Sequence, residues 1–265
     1  EIANVSGGPK LFQLYIHKDQ SLTDNLIDRC KNSGFKALCL TVDTVVAGNR
    51  ERDHRWGFTT PPKLTLKSLL SFATHPTWSI NYLLSKKFEL ANVSHFTKKG
   101  SSIAKGVMEY INEQYDPGMS WKDADYCIKR WGGPFALKGV MSVEDAKKAV
   151  DIGASAIMLS NHGGRQLDGS RAPFDQLPEI VNAVGGKIEI IVDGGIRRGT
   201  HVLKALSLGA TACSFGKGFL FALGAGGQKG VEKMLNNMKD EITRDMILLG
   251  KKRISELNPD NIVYR

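Results

Sequence analysis

Short apolar runs, rich in β-branched and aromatic residues, recur along the chain, and each leads into polar or glycine residues and then into a helical pattern. Six such runs occur, at 11–16, 37–43, 135–140, 156–161, 188–195 and 212–217. Most successive run ends lie roughly 20–35 residues apart, the length of one strand plus one helix. The pattern predicts an α/β fold built on a parallel sheet.

The segments between the runs carry helix start and stop signals. Ser142 is placed to cap a helix that Gly153 ends, and Thr200 and Gly209 bracket a second helix in the same way. From Gly230 onward the pattern predicts an amphipathic helix followed by an extended end.

One connection is too long for a plain crossover. Roughly 90 residues separate Asp43 from the run that begins at 135, and such long loops in compact domains are usually functional or disordered. The segment contains apolar stretches and a helical pattern that ends near Trp131. We interpret 58–131 as an insertion between two strands of one domain that spans 1–265.

Composition bounds the class of protein. Of the 265 residues, 42% are apolar and 24% are charged, which argues against disorder, collagen-like repeats and a disulfide scaffold. No run reaches the ~18 apolar residues of a membrane span, and the first residues lack a signal-peptide pattern. We therefore expect a soluble, cytoplasmic protein.

The four cysteines indicate a reducing compartment. Cys30, Cys39, Cys127 and Cys213 show no C-x-x-C spacing and lie in apolar runs. The sequence therefore predicts buried free thiols and no metal site.

The net charge of +9 is concentrated in one segment. Between residues 58 and 110 there are seven lysines and only two acidic residues, together with Phe72, Trp78 and Tyr82. A basic, apolar and aromatic segment suits the headgroup region of an anionic membrane, and the alternative is a substrate lid or a subunit contact. No nucleic-acid recognition motif accompanies the charge, so we expect no nucleic-acid partner.

The predicted strands end in an unusually polar set of residues. In parallel α/β barrels the reacting groups lie at the carboxyl ends of the strands, which predicts an active site at this edge. Side-chain alternation places Gln13 and Tyr15 on one face of their strand, and Thr41 and Asp43 on one face of theirs. The remaining polar ends are Lys138, Ser160, His162, Arg165, Asp193, Arg197, Gly216 and Lys217.

Two of these ends are rich in glycine, VDGGIRRGT at 192–200 and FGKGF at 215–219. Exposed backbone N–H groups with a cation nearby are typical of a phosphate site, and barrels commonly place that site after the last two strands. The sequence therefore predicts a phosphate-bearing ligand.

The stretch LSNHGGRQLDG at 159–169 carries the chemistry. His162 is suited to proton exchange near neutral pH, and Arg165 is suited to a bidentate hold on a carboxylate. A simple surface turn would not need His162, Arg165 and Asp168 together.

Five motifs carry a resemblance to a known family. LSNHGGRQLDG, FQLY (12–15), TVDT (41–44), LKGV (137–140) and DGGIRRG (193–199) resemble the FMN-dependent α-hydroxy-acid dehydrogenases and oxidases, which fold as (β/α)8 barrels. The similarity runs from about Phe12 to Gly250. HPTW at 75–78, inside the basic segment, is most similar to the membrane-associated, quinone-linked L-lactate dehydrogenases.

The resemblance implies roles at matching positions. His162 would be the active-site base, Asp43 would stabilise its charged form, Arg50 and Arg165 would bind the substrate carboxylate, and Tyr15 would hydrogen-bond the substrate oxygens. The residues implied for FMN are Gln13, Thr41 and Ser160 along the ring, Lys138 near its N1/O2 side, and Asp193, Gly194, Gly195, Arg197, Gly216 and Lys217 around the ribityl phosphate.

Two departures from the family pattern carry expectations. Lys217 stands where the family usually has Arg, and a lysine lacks the planar fork, so looser phosphate binding is expected. Six strand signals cannot close an eight-stranded barrel, so we expect that the first strands of the barrel precede residue 1 in the natural gene product. Residues 1–265 alone are then expected to aggregate and to bind little FMN.

The resemblance also implies a function: oxidation of an L-2-hydroxy acid, L-lactate first among candidates, with electrons passed to a membrane quinone. A homotetramer lying peripherally on the cytoplasmic face of the inner membrane is expected. The α-hydrogen leaves either as a proton to His162 or as hydride to the flavin. The alternatives are an oxygen-using oxidase, a mandelate-type dehydrogenase, a flavin-free barrel isomerase or lyase, and a non-catalytic incomplete barrel.

Overall fold

The computed structural model describes residues 2–55, 65–85, 92 and 115–263. Six parallel strands form one sheet in which each strand pairs with its neighbours in chain order. The strands are β1 (Leu11–Leu14), β2 (Ala37–Thr41), β3 (Phe135–Lys138), β4 (Ala156–Leu159), β5 (Glu189–Asp193) and β6 (Ala212–Ser214). All six lie within the predicted runs, and the predicted α/β barrel class is confirmed.

Helices follow the strands as the crossover pattern requires. They are α1 (Ile2–Val5), α2 (Gln20–Asn32), α3 (Glu51–Arg55), α4 (Leu66–Thr74), α5 (Pro76–Leu84), α6 (Trp121–Trp131), α7 (Val143–Asp151), α8 (Pro173–Val184), α9 (Gly199–Ser207) and α10 (Lys217–Leu248), followed by 3₁₀ turns at Ile254–Glu256 and Pro259–Asn261. Within α10 the backbone leaves helical geometry at Gly226 and Gly227, so two helices meet at a kink. The helix predicted from Gly230 is the second of these.

Alternation along the strands separates two apolar layers. The larger layer packs the sheet against the helices and includes Leu40, Leu137 and Leu159, which are fully buried. The opposite face holds a small cluster of Cys39, Ala136 and Met158. Two residues further along each of these strands, the same face becomes polar, and this change brings the functional side chains together.

The predicted helix signals are confirmed at three positions and wrong at one. The Ser142 hydroxyl accepts from the Asp145 amide at the start of α7, and Gly153 and Gly209 adopt the positive φ values of helix ends. Thr200 is not a cap, because α9 begins one residue earlier.

The start of α9 is capped from another helix. The Gly199 amide donates to the Glu241 carboxylate of α10 at 2.7 Å, and the same side chain forms an ion pair with Arg198. This contact depends on the docking of α10, so local sequence gave no sign of it.

The connection between β2 and β3 contains α3 to α6. Thr65 and Ser68 form a capping box at the start of α4, and Pro76 starts α5. No described residue of α4 or α5 is buried. Most lysines of the basic segment, namely Lys63, Lys86, Lys87, Lys98, Lys99 and Lys105, lie outside the described residues.

The cysteines are free thiols. Three are buried and Cys213 is half-buried, as the apolar runs predicted. Burial raises the pKa of Cys39 and Cys127 to about 12 and that of Cys30 and Cys213 to about 11, so all four thiols are protonated at neutral pH.

Candidate active site at the carboxyl edge of the sheet

A polar layer continues the inward face of the sheet at its carboxyl edge. Thr41 and Lys138 follow Cys39 and Ala136 by two residues and are direct partners in the β2–β3 register. Ser160 stands two residues beyond Met158, and both Ser160 and Thr41 are buried. Strand alternation therefore accounts for the shared face of Thr41, Lys138 and Ser160, and the β2–β3 register accounts for the pairing of Thr41 with Lys138.

A buried ion pair lies at the centre of this layer. Lys138 Nζ lies 3.0 Å from Asp193 Oδ2 and donates to Ser160 Oγ at 3.1 Å, while Ser160 Oγ donates to the same carboxylate at 2.8 Å. Burial favours the neutral acid, but the charge of Lys138 and hydrogen bonds from Ser160 and Ser214 outweigh it. The pKa of Asp193 is therefore lowered, and its carboxylate stays ionised.

A hydrogen-bonded chain links the first two strands. Gln13 Nε2 donates to Thr41 Oγ1 at 2.7 Å and to the Tyr15 hydroxyl at 3.0 Å. Burial, with smaller contributions from Tyr115 and Asp43, raises the pKa of Tyr15 above 10 despite an opposing hydrogen bond with Thr41. The Tyr15 phenol is therefore a hydrogen-bond donor at neutral pH.

His162 and Asp43 meet across the sheet from the loops after β4 and β2. His162 Nδ1 lies 3.2 and 3.3 Å from the two carboxylate oxygens of Asp43, and the Thr44 hydroxyl donates to Asp43 Oδ1 at 3.2 Å. A Cβ at Gly139 would lie 2.7 Å from Asp43 Cβ, so a larger residue there would displace Asp43. This geometry leaves Nε2 of His162 on the side of the ring away from the carboxylate.

His162 holds an uncommon backbone conformation. Its φ of 56° is the one positive value among the described non-glycine residues, and its amide donates to Ser160 Oγ at 3.1 Å. Such a conformation persists where the surroundings enforce it, and it marks His162 for a role beyond packing.

The two predicted carboxylate-binding arginines come from the same two loops. Arg165 is exposed and lies three residues beyond His162, whereas Arg50 is half-buried and immediately precedes α3. Within the described part of the chain, Nε of Arg50 is buried without a hydrogen-bond partner. A buried guanidinium donor of this kind is suited to an anionic ligand.

The glycine-rich strand ends that were predicted to bind a phosphate leave open space, but one of their two predicted cations, Lys217, points to another loop. Gly194 and Gly195 have φ values of 98° and 74°, and Arg197 is exposed. A Cβ at Gly194 or at Gly216 would meet no atom within 4 Å. Lys217 Nζ instead donates to the Gly163 carbonyl at 2.9 Å, so this side chain reaches the loop that carries His162.

Four residues join the site that the sequence did not single out. Thr44 and Ser214 hydrogen-bond to the acids Asp43 and Asp193. Tyr115 pairs with His17 in an antiparallel bridge and interacts electrostatically with Tyr15. The fourth is Gln166, whose amide contacts the β2 loop. Thr44 and Gln166 lie within the quoted motifs, whereas Tyr115 and Ser214 do not, and the partners of all four lie in other parts of the chain or could not be assigned from the sequence.

Metal ligands do not converge in this region. Among residues 2–55, 65–85, 92 and 115–263, no three His, Cys, Asp or Glu side chains form a group that could hold a metal ion. No described helix is long and apolar enough to cross a membrane.

Comparison with known proteins matches the site to a flavoenzyme family. The model of the family described as FMN-dependent dehydrogenase matches residues 1–264, which extends beyond the similarity seen in the motifs. An L-lactate dehydrogenase of Vibrio cholerae serotype O1 is 39% identical over 266 residues, covering 100% of this chain and 70% of the relative. An L-lactate oxidase of Nostoc sp. is 42% identical, covering 97% of this chain and 66% of the relative.

Solved structures agree in fold. The structure of the monotopic membrane protein (S)-mandelate dehydrogenase has a TM-score of 0.91 and 32% identity, covering 98% of this chain and 68% of that one. The flavin-binding domain of flavocytochrome b2 from baker's yeast has a TM-score of 0.74 and 35% identity, covering 97% and 55%. The polar strand ends, the His162–Asp43 pair and these matches lead to one conclusion: this chain belongs to the FMN-dependent α-hydroxy-acid dehydrogenase family.

Proposed function

We propose that this protein oxidises an L-2-hydroxy acid, with L-lactate as the first candidate, to the 2-oxo acid and passes the electrons to a membrane quinone. The observation that carries the reaction is the contact of His162 Nδ1 with the Asp43 carboxylate at 3.2 Å, beside the Lys138–Asp193–Ser160 layer. It combines a base, an acid that stabilises its charged form, and a polar layer for a cofactor ring.

The residues present fit FMN. Gln13, Thr41, Lys138 and Ser160 form a continuous band of donors and acceptors around a buried cation, as a ring with polar edges requires. The open space at Gly194 and Gly216 and the exposed Arg197 suit a ribityl phosphate. We assign Asp193, Gly195 and Lys217 to the same end, as the family resemblance implies.

When bound, FMN supplies the electron sink for the two electrons that leave the hydroxy acid. His162 takes one proton from the substrate at Nε2, while Asp43 holds Nδ1–H and stabilises the imidazolium that results. Whether this proton comes from the α-carbon or from the hydroxyl distinguishes the two routes. Both routes release two protons and two electrons per substrate.

The substrate carboxylate is proposed to bind between Arg165 and Arg50. Arg50 Nε, which has no hydrogen-bond partner among the described residues, and the exposed Arg165 guanidinium come from the loops that carry Asp43 and His162. The protonated Tyr15 hydroxyl, aimed by Gln13, donates to a substrate oxygen. These contacts orient the carbon that is oxidised toward His162.

A substrate panel tests this assignment. The flavin-loaded protein is mixed anaerobically with L-lactate, D-lactate, glycolate and (S)-mandelate, and flavin bleaching and 2-oxo acid formation are followed together. We expect fast bleaching with L-lactate and none with D-lactate. Failure of every L-2-hydroxy acid to bleach the flavin would contradict the proposed reaction.

The proposed electron acceptor and the proposed membrane location of the protein are both inferred from the α4–α5 hairpin. Phe72 stacks on Trp78 at 5.5 Å between ring centroids, and Trp78 stacks on Tyr82 at 5.3 Å, and all three rings are exposed. Exposed apolar side chains flank this ladder, namely Leu66, Leu69, Leu70, Ile80, Leu83 and Leu84. Such a surface on a basic segment supports peripheral binding to an anionic membrane, which is where a quinone would be reached.

The second candidate function is oxidation of the hydroxy acid with oxygen as the acceptor. The 42% identity to an L-lactate oxidase favours it. Co-sedimentation with anionic and neutral vesicles at low and high salt, together with quinone reduction and peroxide assays, separates the two. Equal partitioning to both lipids with rapid peroxide production would favour the oxidase.

We also propose the organisation of the chain. Residues 1–265 are assigned to a single FMN-binding barrel domain, with 58–131 as an insertion that carries the membrane contact. A homotetramer is expected from the family resemblance, and light scattering of the flavin-loaded protein tests it.

A further inference from the structure

The loops after β2 and β4 are joined by one side chain. Gln166, half-buried, lies in the β4 loop, four residues beyond His162. Its Nε2 donates to the Val46 carbonyl at 2.9 Å and to the Asp43 carbonyl at 3.2 Å. The Gln166 amide therefore donates twice to the loop after β2, once to Asp43 itself and once to Val46, three residues further along.

The two loops also approach closely at Gly48. A Cβ there would lie 2.1 Å from the Arg165 carbonyl oxygen and 2.8 Å from Gln166 Oε1. Only a residue without a side chain permits this approach. The Gln166 contacts and the Gly48 approach are thus two halves of one junction between the loops.

The junction joins the two loops that carry the acid–base pair and the two arginines. On one side stand Asp43 and Arg50, and on the other His162 and Arg165, with Gln166 directly after Arg165. The His162–Asp43 contact at 3.2 Å bridges the same gap. A shift of one loop against the other would therefore change the distance between acid and base and the distance between the two arginines.

The two ends of the Gln166 amide differ in their hydrogen bonding. Within the described residues, Oε1 of Gln166 is buried without a partner. An unpaired buried acceptor is unfavourable, so the position has to be held by what Nε2 does. What Nε2 does is tie the backbone of the Asp43 loop to the His162 loop.

We propose that Gln166 is a positioning residue that acts on the reaction through Asp43. This proposal rests on the proposed function. Gln166 sets the His162–Asp43 geometry by fixing the Asp43 backbone. Its side chain forms hydrogen bonds with the Asp43 and Val46 carbonyls and none with His162 or with the Asp43 carboxylate.

A double-mutant cycle on the flavin-loaded protein tests this. Gln166→Met keeps the length of the side chain and removes both donors, and it is expected to lower kcat on the order of 10- to 100-fold, because small misplacements of reacting groups have effects of this size. In an Asp43→Asn background the same change is expected to lower kcat by less than about two-fold, since the residue it positions is already disabled.

The matched control is Gln176→Met. Gln176 is a buried glutamine on α8 whose Nε2 donates to Glu179 of the same helix and not to the Asp43 loop. It is expected to leave kcat unchanged and to show the same small effect in both backgrounds. Flavin absorbance per protein and far-ultraviolet circular dichroism report whether each variant is folded and loaded.

The possible results distinguish a failure of the proposed function from a failure of the positioning role of Gln166. Unchanged kcat in Asp43→Asn would overturn the proposed function at that pair. If Asp43→Asn lowers kcat severely but Gln166→Met lowers kcat by the same factor in both backgrounds, only the positioning role is overturned. The same holds if Gln166→Met leaves kcat unchanged in both backgrounds.

If Gln166→Met does not fold, Gly48→Ala gives the same test from the other loop. The added methyl group would push the loops apart at the Arg165 carbonyl. The proposal expects it to lower kcat strongly in the wild type and weakly in Asp43→Asn. Equal losses in both backgrounds would contradict it.

Discussion

The carboxyl edge of the sheet and the α4–α5 hairpin differ in how their unusual residues are held. At the sheet edge, polar side chains that would be unfavourable in isolation are buried and satisfy each other, as Lys138, Asp193 and Ser160 do within 3.1 Å. In the hairpin, large apolar side chains that would normally be buried are exposed, and three of them, Phe72, Trp78 and Tyr82, stack on one another.

This difference indicates that the polar groups at the sheet edge find their partners within the protein, whereas the apolar groups of the hairpin do not find them among the described residues. A polar cluster that is satisfied internally is preorganised, so a ligand meets groups already in position. An apolar surface with no buried residue gains stability only from something outside the described chain. Substitutions in the first region should change chemistry, and substitutions in the second should change location.

The largest effect is expected for His162→Gln. Turnover should fall by a factor on the order of 10²–10⁴, the usual contribution of a positioned acid–base group, while flavin binding stays nearly intact. Steady-state kinetics with a soluble electron acceptor measure it. His75→Gln, between the two helices of the hairpin, is the matched control and should leave that rate unchanged; a His162→Gln protein with more than about half the activity would place the base elsewhere.

Arg165→Lys should have a smaller effect in the same region. The Michaelis constant should rise about 10-fold with some loss of turnover, because an ammonium cannot form two parallel hydrogen bonds to a carboxylate. The control is Arg171→Lys, whose guanidinium pairs with Glu179 on the outside of the protein. Identical kinetics for Arg165→Lys and the wild type would remove Arg165 from substrate binding.

In the hairpin, changing Leu83 and Leu84 together to Ser should lower affinity for anionic vesicles about 10-fold and leave turnover with a soluble acceptor unchanged. Their side chains are 78% and 81% exposed. Ile247 and Leu248 on α10, at 71% and 78%, form the matched pair and should not affect vesicle binding when changed to Ser. Equal losses for the two pairs would indicate a general apolar effect.

The smallest effect concerns the acid stability of the sheet edge. Because the pKa of Asp193 is lowered in the folded state, its pairing stabilises the protein fully above the unfolded pKa near 3.9, and this contribution is lost as pH falls through the folded value. In that pH range the free energy of unfolding of the wild type should rise with pH, and Asp193→Asn should lower this slope by up to about 1.4 kcal/mol per pH unit. Asp28→Asn, at the surface ion pair with Arg130, is the control; an unchanged slope in Asp193→Asn would show that the pair does not titrate with folding.

Sequence reasoning located the strands and most of the candidate site because the relevant signals are local. Each apolar run marks a strand, and the residue two positions beyond its last inward apolar side chain faces the same way. That rule alone places Thr41, Lys138 and Ser160 on the same faces of their strands as Cys39, Ala136 and Met158. The helix ends at Gly153 and Gly209 followed for the same reason.

The remainder depended on contacts between residues far apart in the chain. Glu241 caps α9 in place of Thr200 because α10 docks beside it, and Gln166 reaches Asp43 and Val46 across about 120 residues. The sequence by itself determined which residues face the carboxyl edge, since strand periodicity sets the direction of a side chain. Only the tertiary structure decided which of them touch, because distances between loops follow from the packing of the whole sheet and its helices.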